Sequence, residues 1–121
     1  MSDSQNLRAL SDEYEKLQGD LSETVQARQK LESQYTENQG VQKEFAGLED
    51  DAKIYKLVGP VLLKQDTVEA KSTVDSRLQY IDGEIKRVEV NINALQKLCS
   101  EKRDQIMRIQ SQQQQQQAPP A

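Results

Sequence analysis

The 121-residue sequence has no histidine and no tryptophan, and it has a single cysteine and a single phenylalanine. Without histidine the chain lacks the commonest general base and the commonest metal ligand. One thiol, that of Cys99, cannot form an internal disulfide or a zinc site of several thiolates. Hydrophobic residues make up only 35% of the chain, which leaves little material for a compact core. These shortages argue against an enzyme, a metal site or a cofactor site.

The charges are numerous and of both signs. Sixteen Lys and Arg against 20 Asp and Glu give a net charge of −4. Nucleic-acid-binding modules usually have a basic face, whereas here the basic residues alternate with acids, as on a solvated helix. No apolar run approaches the ~18 residues of a membrane span, and the polar first residues do not form a secretory signal. We therefore expect a cytoplasmic protein that contacts neither nucleic acid nor membrane.

Residues 7–50 have a heptad pattern that polar residues interrupt. Eight of the twelve seam positions, counted alternately by three and four, are apolar or aromatic. These positions are Leu7, Leu10, Tyr14, Leu17, Leu21, Thr24, Arg28, Leu31, Tyr35, Asn38, Gln42 and Phe45. After Asn38 the better stripe is Val41, Phe45 and Leu48, which is typical of a stammer in the heptads. The pattern predicts a first coiled-coil helix that frays near Asp50.

Residues 67–110 have a cleaner heptad pattern, in which ten of eleven seam positions are apolar. They are Val74, Leu78, Ile81, Ile85, Val88, Ile92, Leu95, Cys99, Lys102, Ile106 and Ile109. Asp66, with Glu69 three residues later, predicts the start of this helix. Because neither helix has enough apolar surface to be stable by itself, we expect the two to form an antiparallel coiled coil.

The heptads also restrict the register of that coiled coil. In an antiparallel pair of helices, the numbers of two facing residues have a constant sum. The seam residues are the a and d positions of the heptads, and an a position on one helix should face a d position on the other. Over residues 7–35 this leaves sums near 116 or 123. We favour 116, because it sets Leu7 beside Ile109 and Leu17 beside Cys99. The stammer is a reason to allow a shift of about three beyond Asn38.

Residues 54–65 predict a β-hairpin between the helices. Five residues rich in β-formers precede Gly59-Pro60 and five follow. Apolar residues occupy both faces, and such a hairpin with two open edges is an aggregation hazard unless strands of other chains pair with it. This segment therefore predicts an oligomer, with assembly residues Ile54, Tyr55, Leu57, Val58, Gly59, Pro60, Val61, Leu62 and Leu63. The alternative is a hairpin that only caps the coil, with its apolar residues folded onto the helix ends.

The two ends of the sequence are polar. Residues 1–6 are expected to be a flexible N-terminus. Ser111, six glutamines and Ala-Pro-Pro-Ala form a low-complexity tail over residues 111–121, which we expect to be disordered. The sequence assigns no role to the glutamine tract.

This arrangement of helix, hairpin and helix resembles the β class of prefoldin subunits. The hairpin at residues 55–65 carries most of the resemblance, with residues 28–32 and 36–38 before it and residues 84–87 after it. The similarity spans roughly residues 7–110 and implies a mainly α fold with one hairpin. A single hairpin is the mark of the β class within that family, and the sequence has no phosphate-binding glycine motif.

The resemblance implies a co-chaperone subunit that uses no ATP. In that family, two α-class and four β-class subunits form a hexamer whose hairpins build a double β-barrel. The partners would be two α-class and three further β-class subunits, unfolded actin and tubulin, and the cytosolic chaperonin. Clients would be held at the free ends of the coil, here the tip residues Leu7, Leu10, Ile106, Met107 and Ile109. The rival interpretation is a structural or tethering coiled coil that binds no client.

Overall fold

The computed structural model describes residues 3–49 and 51–117, which form two helices joined by a two-stranded sheet. Helix α1 spans Asp3–Ala46, strand β1 Ile54–Val58, strand β2 Val61–Gln65 and helix α2 Thr67–Gln117. The two strands are antiparallel. The mainly α fold with one hairpin, predicted from the periodicities of the sequence, is confirmed.

Helix α1 begins and ends earlier than the heptads suggest. It starts at Asp3 rather than at Leu7, and it ends at Ala46 rather than near residue 50. The amide of Gly47 donates to the carbonyls of Lys43 (3.3 Å) and Glu44 (3.2 Å), so the last turn tightens and satisfies carbonyl groups at the helix end. Asp50, where fraying was expected, lies outside the described residues.

Helix α2 continues to Gln117, beyond the expected end at residue 110. Glutamine is a good helix former, and a helix that already exists is extended at little cost. The structure therefore places residues 111–117 in the helix rather than in a disordered tail. Gln113, which follows Ile109 by one seam step, is half-buried. Residues 118–121 of the expected tail, like Met1 and Ser2 of the expected flexible N-terminus, lie outside the described residues.

The chain divides into two compact units, and the first contains Met1–Ala27 and Val88–Ala121. Within it Cys99 is buried and the other predicted seam positions are half-buried. The Lys102 ammonium lies 2.6 Å from a carboxylate oxygen of Glu13, a pair whose residue numbers sum to 115. In the 123 register Lys102 would be level with Leu21, about 12 Å further along the helix. This contact favours the 116 register.

The second unit, Arg28–Arg87, contains the hairpin and most of the buried residues. Its buried residues are Ile54, Ala70, Val74, Leu78 and Ile81. The Gln42 amide donates to Oδ1 of Asp75 at 2.8 Å, a pair whose numbers sum to 117. This sum is within two residues of both the 116 register and a register shifted to 119. The sequence predicted an apolar stripe of Val41, Phe45 and Leu48 after the stammer. Phe45 is half-buried, while Val41 and Leu48 are both 37% exposed.

Polar residues in the seam hydrogen-bond to the backbone one turn earlier or form an ion pair at its edge. The Thr24 hydroxyl donates to the Asp20 carbonyl, and the Asn38 amide donates to the Gln34 carbonyl, each at 2.7 Å. Lys102 extends its ammonium to Glu13 at the edge of the seam. A long cationic side chain can pack its methylenes in the seam and still place its charge near water. Among the described residues, no buried side-chain nitrogen or oxygen lacks a hydrogen-bond partner, so the seam accepts these polar residues.

The start of α2 is fixed by Asp66. One carboxylate oxygen of Asp66 accepts hydrogen bonds from the amides of Val68 (2.8 Å) and Glu69 (3.2 Å). The Asp66 carbonyl accepts the first helical bond, from Ala70 at 2.9 Å. The Thr67 hydroxyl donates to the Ala52 carbonyl at 3.0 Å, which ties the helix start to the segment before β1. Asp66 is thus the N-cap that the sequence predicts.

We expect Asp66→Ala to lower the free energy of unfolding by about 1 kcal/mol, because two amides at the start of α2 lose their acceptor. Thermal denaturation followed by circular dichroism measures this loss. Asp66→Asn is the control, since its side-chain oxygen can accept the same bonds. Equal melting temperatures for Asp66→Ala and the unmodified chain would show that the cap does not contribute to stability.

Candidate assembly hairpin and coil tip

The hairpin turns through two residues, Gly59 and Pro60. Val58 pairs with Val61, Leu57 with Leu62 and Lys56 with Leu63. Gly59 has φ +58°, a conformation that suits glycine, while the ring of Pro60 requires a negative φ. A positive φ at the first turn residue and a negative φ at the second correspond to a type II′ turn, which matches the twist of paired strands. The Gly-Pro dipeptide thus fixes both the turn and the register.

Apolar side chains are exposed on both faces of this hairpin. Leu57 and Leu62, which pair on one face, are 68% and 63% exposed. The other exposed apolar residues of the hairpin are Tyr55, Val58, Val61 and Leu63, and Ile54 is buried. The apolar residues other than Ile54 are therefore not folded onto the helix ends. This exposure argues against a hairpin that only caps the coil.

Both edges of the hairpin offer backbone hydrogen bonds. In a two-residue hairpin the pair beside the turn exchanges both bonds, and the pairs then alternate along the ladder. The outward-facing amides and carbonyls are consequently those of Tyr55 and Leu57 on β1, and of Leu62 and Lys64 on β2. No third strand pairs with either edge within the described residues. An exposed edge of this kind is a template for a strand of another chain.

The hairpin is also basic, a property that reasoning from hydrophobic pattern misses. Lys53, Lys56 and Lys64 are exposed, and residues 53–65 contain no acid. None of these lysines has an ion-pair partner in the part of the chain that the structure describes. This basic character could have been found in the sequence, because residues 53–65 contain three lysines and no acid while the whole chain has a net charge of −4.

The predicted tip residues all lie in the first unit. The contact between Glu13 and Lys102 sets a register that places Leu10 level with Ile106, and Leu7 level with Ile109. Leu7, Leu10, Ile106 and Ile109 are half-buried in these layers, and α2 continues beyond them to Gln117. Met107 lies outside the seam and is 58% exposed. The tip therefore combines a packed apolar end with one exposed, flexible thioether.

Several exposed apolar residues of α2 belong to neither surface. Tyr80 is 69% exposed and Val90 67% exposed, and both lie outside the seam. Apolar residues scattered singly over a surface are normal in proteins. Among the described residues, no cluster of three or more His, Cys, Asp or Glu could hold a metal ion. Nor does any helix described here carry an apolar stretch that could cross a bilayer.

The whole arrangement matches a known family. The family model described as prefoldin subunit matches residues 8–117. The chain belongs to the prefoldin family. It is 43% identical to mouse prefoldin subunit 6 over 107 residues, covering 88% of this chain and 84% of that one. It is also 43% identical to prefoldin subunit 6 of Saccharomyces cerevisiae, covering 83% of this chain and 88% of that one.

A solved prefoldin structure confirms the fold. The prefoldin beta subunit from Thermococcus strain KS-1 superposes with a TM-score of 0.55, at 27% identity over 95% of each chain. The predicted resemblance to the β class of prefoldin is thus confirmed. Membership of this family supports a chaperone role and makes other prefoldin subunits the partners of this chain.

Proposed function

We propose that this chain is one β-class subunit of a hexameric prefoldin with two α-class and three further β-class subunits. Its hairpin joins the hairpins of neighbouring subunits in a double β-barrel. The coil of each subunit then helps to hold unfolded polypeptides of the actin and tubulin type for the cytosolic chaperonin. The complex works in the cytoplasm and without ATP. In this proposal the chain itself binds other subunits and clients and catalyses no reaction.

The exposure of the hairpin is the observation that carries this proposal. Six apolar side chains from Tyr55 to Leu63 are exposed on two faces, and no further strand of residues 3–49 or 51–117 pairs with either strand edge. Covering both faces and both edges at once requires strands from other chains. Each apolar side chain covered in this way contributes about 1.5–3 kcal/mol to assembly. Assembly into a barrel therefore removes the main liability of the isolated chain.

The tip supplies the proposed client surface. Met107 is exposed beside half-buried Ile106 and Ile109, and methionine adapts its shape to varied partners. One such tip makes weak contacts, but several tips in one complex act together, so avidity replaces single-site affinity. A holdase of this type needs no pocket that is shaped for one ligand. The proposal assigns Leu7 and Leu10 of α1 to the same surface.

Suppression of aggregation tests the proposal against the rival tethering coiled coil. The complex is assembled from all its subunits, or from all except this chain, and mixed with actin diluted out of denaturant. We expect the complete complex to hold light scattering near its starting value, and the incomplete mixture to protect weakly. Equal protection by both would show that this chain is not needed for holding clients and would contradict the proposal. Bovine serum albumin at the same mass concentration controls for non-specific crowding.

A further inference from the structure

We propose that the outer edge of β1 selects its neighbour by charge. It pairs with a strand of a different polypeptide that places an Asp or Glu opposite Lys56, and it disfavours a second copy of this chain. This inference rests on the proposed assembly through the hairpin and names the chemistry of the partner. It concerns one residue that the apolar pattern of the hairpin does not explain.

The register of the hairpin determines what a neighbour of β1 meets. Lys56 exchanges hydrogen bonds with Leu63, so its own amide and carbonyl point inward, while those of Tyr55 and Leu57 point outward. An antiparallel neighbour that bonds to Tyr55 and Leu57 therefore faces Lys56 at a non-hydrogen-bonded position. At such positions the Cα atoms are only about 4.5 Å apart and the side chains are close together. The residue opposite Lys56 is the one most affected by its charge.

The same β1 edge of a second copy is a poor neighbour for this edge. In the two-fold register that uses both outward-facing residues, Tyr55 of each copy lies opposite Leu57 of the other. That register sets Lys56 directly opposite Lys56. Like charges that face each other across two strands are destabilising, whereas opposite charges are stabilising. The geometry thus disfavours pairing of the β1 edge with itself and favours a carboxylate opposite Lys56.

The surroundings of Lys56 strengthen this preference. On its face of the hairpin it is the only charged strand residue, beside Val58 and opposite Leu63. Pairing covers these apolar neighbours and removes water around the ammonium, which raises the cost of leaving it without an anion. The hairpin cannot supply that anion itself, because residues 53–65 contain no acid. The carboxylate must come from the partner.

A charge exchange in the full chain tests this inference. Unmodified chain is mixed with ¹⁵N-labelled Lys56→Glu chain, and the oligomers are counted by native mass spectrometry. We expect the mixed oligomer to form with a dissociation constant on the order of fivefold lower than that of either chain by itself. Lys30→Glu, the same change at an exposed position of α1, is the control and is expected to mix in statistical proportion. High salt is expected to weaken the preference, because the charges near the edge are screened.

Incorporation with the natural partners is the second measurement. After co-expression with the other prefoldin subunits, Lys56→Glu is expected to enter the complex several-fold less than Lys30→Glu does. Statistical mixing of Lys56→Glu, no gain of association in the mixture, or equal incorporation of the two variants would each overturn the charge selection. These outcomes leave the proposed function intact if Leu57→Asp still blocks assembly. If Leu57→Asp also assembles normally, the hairpin is not the assembly surface and the proposed function fails as well.

Discussion

Leu57→Asp is expected to exclude the chain from the prefoldin complex while leaving α1 and α2 helical. Leu57 is 68% exposed in the chain by itself, so the aspartate stays in water and the fold is unaffected. Assembly would bury that position among strands of other subunits. The variant then loses about 1.5–3 kcal/mol of leucine burial and must also bury a carboxylate, so assembly weakens by more than about 100-fold.

The measurement is size-exclusion chromatography of the co-expressed subunits, with circular dichroism of the variant alone. Val61→Asp changes the other face of the hairpin, and the same loss of assembly is expected. Val90→Asp is the matched control, because Val90 of α2 is 67% exposed and lies outside the hairpin. We expect Val90→Asp to assemble like the unmodified chain. Normal incorporation of both hairpin variants would contradict the role assigned to this surface.

Removal of residues 1–10 together with 106–121 is expected to leave the complex assembled but to weaken client capture. The deleted residues all belong to the first unit, whereas the hairpin belongs to the second. The deletion removes all the proposed contact residues of this tip, which are Leu7, Leu10, Ile106, Met107 and Ile109. Because other tips of the complex still act, we expect about tenfold more complex to be needed for the same protection of unfolded actin.

Two narrower changes separate the tip from the glutamine tract. Met107→Gln is expected to weaken protection a few-fold, since a flexible apolar group becomes an amide that retains its hydration. Leu98→Gln, at a position that is 43% exposed on the same helix, is the control and is expected to protect normally. Deletion of residues 112–121 is expected to change little. Unchanged protection after the full tip deletion would place client binding elsewhere in the complex.

The periodic features of this protein are local, and the sequence by itself determined them. The heptads on α2 place Leu78, Ile81 and Cys99 on one face of a helix whatever the rest of the chain does, and all three are buried. Gly59-Pro60 permits a type II′ turn and forbids type I′, so the hairpin and its register follow from two residues. Asp66 likewise caps α2 through amides only two and three residues away.

Features that depend on a partner surface were decided by the tertiary structure. Val41 and Leu48 belong to an apolar stripe, but their burial depends on the residues that pack against them, and each remains 37% exposed. The end of α2 at Gln117 reflects a small free-energy balance between helix and coil, which periodicity does not measure. Whether Lys56 has an ion-pair partner also depends on the tertiary structure, and it has none within the described residues. Period and turn chemistry act over a few residues, whereas burial and charge pairing depend on residues far apart in the sequence.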